Sequence, residues 1–366
     1  MGHLGSGKTD VFRALAERLD KNPVGAPMNE TLMRILHTMY SEREAAIASQ
    51  FPPGFITLDK LAAASGLDGD RLAAVLDGMA DKGLVIDMPR GNRVLYALSP
   101  LVVGFFEYTF MRVTDKLPQP ALAELFERYL HERGVAEAFF GADTKMFQAM
   151  AYESALPADI TSEVLDYEKA SAMIRAAGKG ALSMCFCRHQ AQHRGTACGA
   201  PVEAVCTSLG LAADWLIRRG FARPAGADEL LAVLDRTEAL GLVHIADNVR
   251  NNPTFICHCC GCCCMVLRSL NEHGVQSLHP SNFLASVDAT ACSGCGLCAG
   301  RCHIKAIDVA APSPAAVNAD RCLGCGVCVK NCPQGAISLV RRRQVRQPPR
   351  DKTELMLAIA RENKKL

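Results

Sequence analysis

One cysteine pattern occurs twice near the C-terminus, and it constrains this chain more than any other feature. Cys292, Cys295, Cys298 and Cys302 are spaced C-x2-C-x2-C-x3-C. Cys322, Cys325, Cys328 and Cys332 repeat that spacing thirty residues later, and Pro333 follows the last. This is the bacterial run for [4Fe–4S] clusters. The tight C-x2-C-x2-C arc wraps three corners of a cube. Zinc is the other chemistry open to sets of four cysteines, but zinc ribbons space two C-x2-C pairs widely. Here two quartets sit on an internal repeat.

The fourth thiolate must come from elsewhere, because the chain has already moved past the cluster. In two-cluster proteins it comes from the partner motif. The expected ligands are therefore Cys292, Cys295, Cys298 and Cys332 for one cluster, and Cys322, Cys325, Cys328 and Cys302 for the other. The repeat reaches past the cysteines: Gly294 and Gly296 align with Gly324 and Gly326, and Ala306-Ile307 with Ala336-Ile337. From about Val287 to Val340 the chain resembles a two-cluster bacterial ferredoxin. The resemblance implies a pseudo-symmetric fold of short hairpins and helices around two adjacent cubes, and single-electron transfer. One departure is His303, which stands where a proline usually follows the fourth cysteine.

The chain has 366 residues, 49% of them hydrophobic, and a formal net charge of +2, long enough for two or three domains. Thiolate-bound clusters would add negative charge that this figure omits. Eighteen cysteines could mean disulfides in an extracellular chain. Met1-Gly2-His3, however, leads straight into glycine and lysine with no signal-peptide pattern. The longest apolar stretch, Leu101 to Phe106, is far short of the ~20 residues that span a bilayer. A reducing cytoplasm, with thiols clustered for metal, is the expected setting.

Residues 28 to 112 read as a helix, a helix–turn–helix and a hairpin. A long helical pattern runs from Asn29 to about Gln50, a short helix from Leu58 to Ala64, and a third from Asp70 to Lys82, stopped by Gly83. Leu84-Val85-Ile86 and Val94-Leu95-Tyr96 form the hairpin. This order resembles the winged-helix class of DNA-binding domains. The third helix, however, carries Asp70, Asp77 and Asp81 against Arg71 and Lys82, and acidic groups repel phosphates. A docking or structural module is expected, with no nucleic acid as partner. Gly2 to Thr9 matches the phosphate-binding G-x-x-x-x-G-K-[ST] loop. No strand precedes it to present the loop, so nucleotide binding is not expected.

Residues 113 to 175 read as mainly helical, and 176 to 284 as mixed α/β. Ala181 to Phe186 and Thr254 to Ile256 are expected strands, and Val202 to Arg219 and Asp228 to Leu240 expected helices. This region holds the other ten cysteines: Cys185, Cys187, Cys198, Cys206, Cys257, Cys259, Cys260, Cys262, Cys263 and Cys264. Six cysteines in the eight residues from Cys257 are not ordinary core packing. Neighbouring side chains point oppositely in a strand, so two sites facing opposite ways could use what one cluster could not. All ten are candidate ligands for one or more further iron–sulfur clusters, with zinc open for the Cys185–Cys206 group. Cys206 reads as the weakest, on an apolar helical face where free cysteine is often buried. Arg188, His189 and His193 stand among these thiolates, to neutralise charge or, for the histidines, to carry protons.

Cys259-Cys260-Gly261 is similar to the cysteine-rich motif of heterodisulfide reductases, but the surrounding spacing differs and no chemistry is carried over. The full combination resembles a multi-cluster iron–sulfur protein family. That family joins a winged-helix-like N-terminus, a C-x-C-R-H segment, a C-x-C-C-x-C-C-C segment and a terminal two-cluster ferredoxin. The resemblance implies electron transfer and supplies no substrate.

The expected fold is α+β and multidomain. It comprises an N-terminal helical segment (1–27), a winged-helix-like domain (28–112), a helical then mixed α/β cysteine-rich domain (113–284), a two-[4Fe–4S] ferredoxin domain (285–340) and a basic tail (341–366). The leading function is electron transfer through the two ferredoxin clusters, to or from a centre in the middle domain, with a redox partner protein. A reductase using the middle centre, and a redox-responsive regulator, are the alternatives. No G-x-G-x-x-G element carries hydride chemistry.

Overall fold

The computed structural model describes residues 6–158, 164–310 and 313–366, and side chains from residue 11 onward within those ranges. The Gly2–Thr9 motif falls outside the described side chains. The N-terminal part runs α1 (Ser6–Asp20), α2 (Glu30–Met39), α3 (Glu42–Ser49), β1 (Ile56–Thr57), α4 (Leu58–Ser65), α5 (Gly69–Asp81), β2 (Val85–Arg90) and β3 (Arg93–Leu98). The three strands form an antiparallel sheet in the order β1-β3-β2.

The single helix expected from Asn29 to Gln50 is two. Tyr40 is extended (φ −112°, ψ 137°), and Ser41 starts α3 with a capping box: its hydroxyl accepts from the Glu44 N–H, and the Glu44 carboxylate accepts from the Ser41 N–H. A capping side chain contributes about 1 kcal/mol, and here it overrides a continuous apolar periodicity.

The acidic third helix, α5, buries Leu72, Leu76 and Met79 and turns Asp77 and Asp81 toward Arg219, whose Nη1 lies 2.7 and 3.1 Å from them. Asp87, at 7% side-chain exposure, is the hub of this contact. It accepts from Trp215 Nε1 at 3.0 Å, Arg218 Nη1 at 2.6 Å, and Arg219 Nε and Nη2 at 3.0 and 2.8 Å. The negative charge of this helix thus meets the chain's own arginines.

Helices α6 (Phe106–Phe110), α7 (Gln119–His131) and α8 (Val135–Phe140) lead into a six-stranded antiparallel sheet. Its members are β4 (Phe147–Met150), β5 (Lys179–Ser183), β6 (Cys206–Leu209), β7 (Arg223–Gly226), β8 (Val243–Asp247) and β9 (Phe255–Cys259), in the order β4-β8-β9-β6-β5-β7. Between them run α9 (Ala170–Ala177), α10 (Phe186–His193), α11 (Gly210–Arg218) and α12 (Ala227–Ala239), and α13 (Met265–Glu272) follows β9. Within the helix expected from Val202 to Arg219, Cys206–Leu209 is β6, and only Gly210 onward is helical. Pairing with β5 and β9 decides this locally ambiguous apolar run. Strand β4 likewise interrupts the region read as mainly helical.

The C-terminal part contains β10 (Phe283–Val287), α14 (Leu297–Arg301), β11 (Ile307–Asp308), β12 (Ala316–Val317), α15 (Val327–Lys330) and β13 (Ile337–Arg341). Strands β10 and β13 pair antiparallel, as do β11 and β12. A last helix, α16 (Lys352–Glu362), buries Leu355, Ile359 and Ala360. The basic tail is used internally: Arg342 donates to the carbonyls of Ser281, Phe283 and Cys322, Arg341 pairs with Glu168, and Lys352 Nζ lies 2.5 Å from fully buried Asp247. No described helix is long and apolar enough to cross a membrane.

Candidate metal centres

The C-terminal cysteines sit on two copies of one backbone device. Gly296 and Gly326 start α14 and α15 in the left-handed region, at φ 76° and 85°. The Cys292 N–H donates to the Asp288 carbonyl and the Cys322 N–H to Asn318, thirty residues apart in each case. The Ala306 N–H lies 3.2 Å from Cys302 Sγ, and the Ala336 N–H 3.3 Å from Cys332 Sγ. Further N–H groups, of Ala315 and Gly324, lie 3.4 Å from Cys292 and Cys322 Sγ. Such donors stabilise sulfur that carries negative charge.

Cys292, Cys295, Cys298 and Cys332 line one small cavity, closed by Val309, Ala315, Ala336 and Ile337. Cys302 stands close enough to Cys325 and Cys328 to act on their ionisation, together with Cys322. The two groups differ in setting. Cys295 is exposed, whereas Cys322 and Cys328 are buried. The second group is pressed against the sheet: the Tyr152 N–H donates to the Cys325 carbonyl, and a Cβ on Gly324 would come 2.1 Å from the Phe283 carbonyl oxygen. Burial pushes the Cys325 thiol up to about 12 and raises Cys328 as well, so a cation must replace the proton if these sulfurs are to ionise. A cradle of N–H donors, two quartets of thiols and an enclosed space fits [4Fe–4S] chemistry.

The ten middle cysteines separate into two sets that cut across their order in the chain. On β9, Cys257 and Cys259 share one face and His258 takes the other, as period-two alternation requires. Cys257 contacts Cys206 and Cys259, and Cys264 contacts Cys187 and Cys259. Cys185, at the start of α10, is near Cys264. These six line one cavity of about 240 Å³, whose wall Cys260 also reaches. Cys206, expected on a helix as the weakest candidate, is a strand residue within the set. The other four, Cys198, Cys260, Cys262 and Cys263, bring their sulfurs within 4.8 Å of one another. Arg188, 1% exposed, lies between the sets. Burial opposes its charge, but Cys185, Cys260 and Cys259 more than offset this and keep the guanidinium protonated.

The histidines are placed differently from one another. The rings of His189 and His193 lie 4.7 Å apart, tilted by 37°, beside Phe110, and His189 Nδ1 lies 2.8 Å from the Phe110 carbonyl. His258 meets Thr237 and His244 across the sheet from Cys257 and Cys259, and burial holds it well below its usual range. His303 links the C-terminal cysteines to the middle ones. Its Nδ1 accepts from the Gly261 N–H at 3.1 Å, so Nε2 carries the proton and donates to the Gly241 carbonyl at 2.8 Å. The residue after Cys302 is thereby bound to the turn that carries Cys260, Cys262 and Cys263. A Cβ on Gly261 would come 2.2 Å from the His303 carbonyl oxygen. Gly261→Ala is expected to lower stability by about 2 kcal/mol through overpacking, read as a fall in thermal midpoint of the holoprotein.

Sequence reasoning missed Glu107 and Lys352, which line the six-cysteine cavity. Glu107 is 6% exposed and accepts from the Gly104 N–H at 2.8 Å. Burial pushes it up to about 8, against that bond and Lys352. The signal was present: Glu107 is the one charged residue in the apolar run Leu101 to Phe110.

Comparison with known proteins agrees with part of this picture. The 4Fe-4S binding domain family matches residues 315–338, a span that includes Cys322, Cys325, Cys328 and Cys332. No curated protein and no solved structure matches the chain. The C-terminal part therefore carries a 4Fe-4S binding domain, which implies at least one [4Fe–4S] cluster in a chain whose other cysteines are gathered into further groups.

Proposed function

We propose that this chain transfers single electrons between a redox partner protein and a thiolate-ligated centre in its middle domain, through two [4Fe–4S] clusters with crossed ligation. One cluster is held by Cys292, Cys295, Cys298 and Cys332, the other by Cys322, Cys325, Cys328 and Cys302. The observation that carries this reading is the pair of matched thiol groups at unequal depth. Exposed Cys295 makes the first cluster the entry point for a partner. The buried second cluster faces the sheet, and the Cys302–His303–Gly261 contact leads from it toward the middle cysteines. Cys185, Cys187, Cys206, Cys257, Cys259 and Cys264 supply the middle iron–sulfur centre. The N-terminal helix–helix–hairpin unit, winged-helix-like in order, serves as a docking module, because its acidic helix engages Arg219.

Iron and sulfide quantification with EPR on anaerobically purified protein tests this reading. About twelve irons or more per chain is the expected result, and about eight would confine the clusters to the C-terminal part. A second reading, a reductase working at the middle centre, is favoured by the apolar cavity that brings buried Glu107 to the same six thiols. Cyanide, as a probe of an open iron position, would shift the middle-centre EPR under that reading. An unchanged spectrum leaves electron transfer as the function.

A further inference from the structure

The four sulfurs of Cys198, Cys260, Cys262 and Cys263 are gathered too tightly for the cluster chemistry proposed elsewhere in the chain. Cys198 Sγ lies 3.6 Å from Cys260 Sγ, Cys262 Sγ lies 3.7 Å from Cys263 Sγ, and all four fall within 4.8 Å of one another. A zinc–sulfur bond of about 2.3 Å in a tetrahedron sets neighbouring sulfurs about 3.8 Å apart. In a cubane each thiolate caps a different corner iron on the outside of the cube, so the thiolate sulfurs stand well beyond van der Waals contact. The same structure supplies the contrast: among the described residues, no three of the other cysteines are drawn together in this way.

The surroundings fit a closed site with four ligands. Cys260, Cys262 and Cys263 lie on the turn between β9 and α13, and Cys198 is brought to them by the loop after α10. Cys260 and Cys263 are buried, at 4% exposure each. A divalent ion with four thiolates is a dianion, and buried Arg188 provides a fixed positive charge beside Cys260.

We infer that Cys198, Cys260, Cys262 and Cys263 bind a single tetrahedral divalent metal ion without sulfide, zinc or iron, as a site separate from the iron–sulfur centres. Its role is structural: it fixes the turn whose Gly261 N–H holds His303 beside Cys302. The inference stands independently of the proposed electron transfer.

The test uses the full chain, purified anaerobically, as wild type, Cys198→Ala and Cys262→Ala, with zinc, iron and sulfide measured on each. The expected result is one equivalent of zinc or of iron lost in both variants, with sulfide unchanged. Loss of sulfide together with several irons would overturn the inference, as would wild-type protein with no such ion. Two spectra on the wild type keep the test valid if a variant fails to fold. A zinc-edge X-ray absorption spectrum with four sulfurs at about 2.3 Å and no metal–metal shell assigns zinc. A high-spin ferric signal in the oxidised protein assigns iron. A metal–metal shell at the zinc edge, or neither signature, refutes the site. Failure here with the C-terminal EPR intact would leave the electron-transfer reading standing.

Discussion

Cys302→Ala is expected to remove or degrade the cluster held by Cys322, Cys325 and Cys328 and to spare the one beside it in sequence. The proposed crossed ligand set requires this, and Cys302 lies within the electrostatic reach of Cys325 and Cys328. The lost cluster amounts to about four irons per chain. Total iron alone does not identify which cluster was lost, so two reference variants are needed. Cys325→Ala disables the second cluster and Cys295→Ala the first. The EPR spectrum of the reduced Cys302 variant should match the former. A match to Cys295→Ala would mean that each arc keeps its own fourth cysteine, and the crossed topology would be wrong.

Asp87→Ala is expected to destabilise the chain by about 3 kcal/mol, because it leaves two arginines and an indole N–H without their shared acceptor in a largely buried contact. Burial by itself would raise the Asp87 carboxyl, but hydrogen bonds from Arg219, Arg218 and Trp215 outweigh it and hold it down at about 2. The folded value therefore lies below the unfolded one of about 3.9. The stabilisation is fully present above the unfolded value and is lost as pH falls through the folded one. Between pH 8 and pH 5 the gap in thermal midpoint between wild type and variant should thus be constant. A gap that closes within that range would assign the loss to another group.

The sequence was most informative where spacing is itself geometry. The C-x2-C-x2-C arcs, the thirty-residue repeat and the paired glycines define two equivalent turns without knowledge of the rest of the chain, because each arc is closed by contacts within a few residues. The acidic character of α5 was equally legible as an argument against phosphate, but not the partner it meets. Arg219 is more than a hundred residues away, and only tertiary packing brings it to Asp77, Asp81 and Asp87. The Tyr40 break was written in the Ser41–Glu44 capping box, and the apolar periodicity on either side hid it.

What the sequence by itself determined is that ten further thiols are candidate metal ligands, since a run such as Cys257 to Cys264 is not ordinary core packing. How those thiols divide was decided only by the tertiary structure. Cys185, Cys187, Cys198 and Cys206 are neighbours in the chain, yet Cys198 joins Cys260, Cys262 and Cys263 while the other three line a cavity with Cys257, Cys259 and Cys264, which Cys260 reaches from the first set. Strand alternation on β9 sends Cys257 and Cys259 to one face, the turn beyond it redirects the next cysteines, and the loop after α10 carries Cys198 across. Ligand type is a local property of a sequence, whereas ligand grouping depends on strand order and loop path, which are set by contacts across the whole sheet.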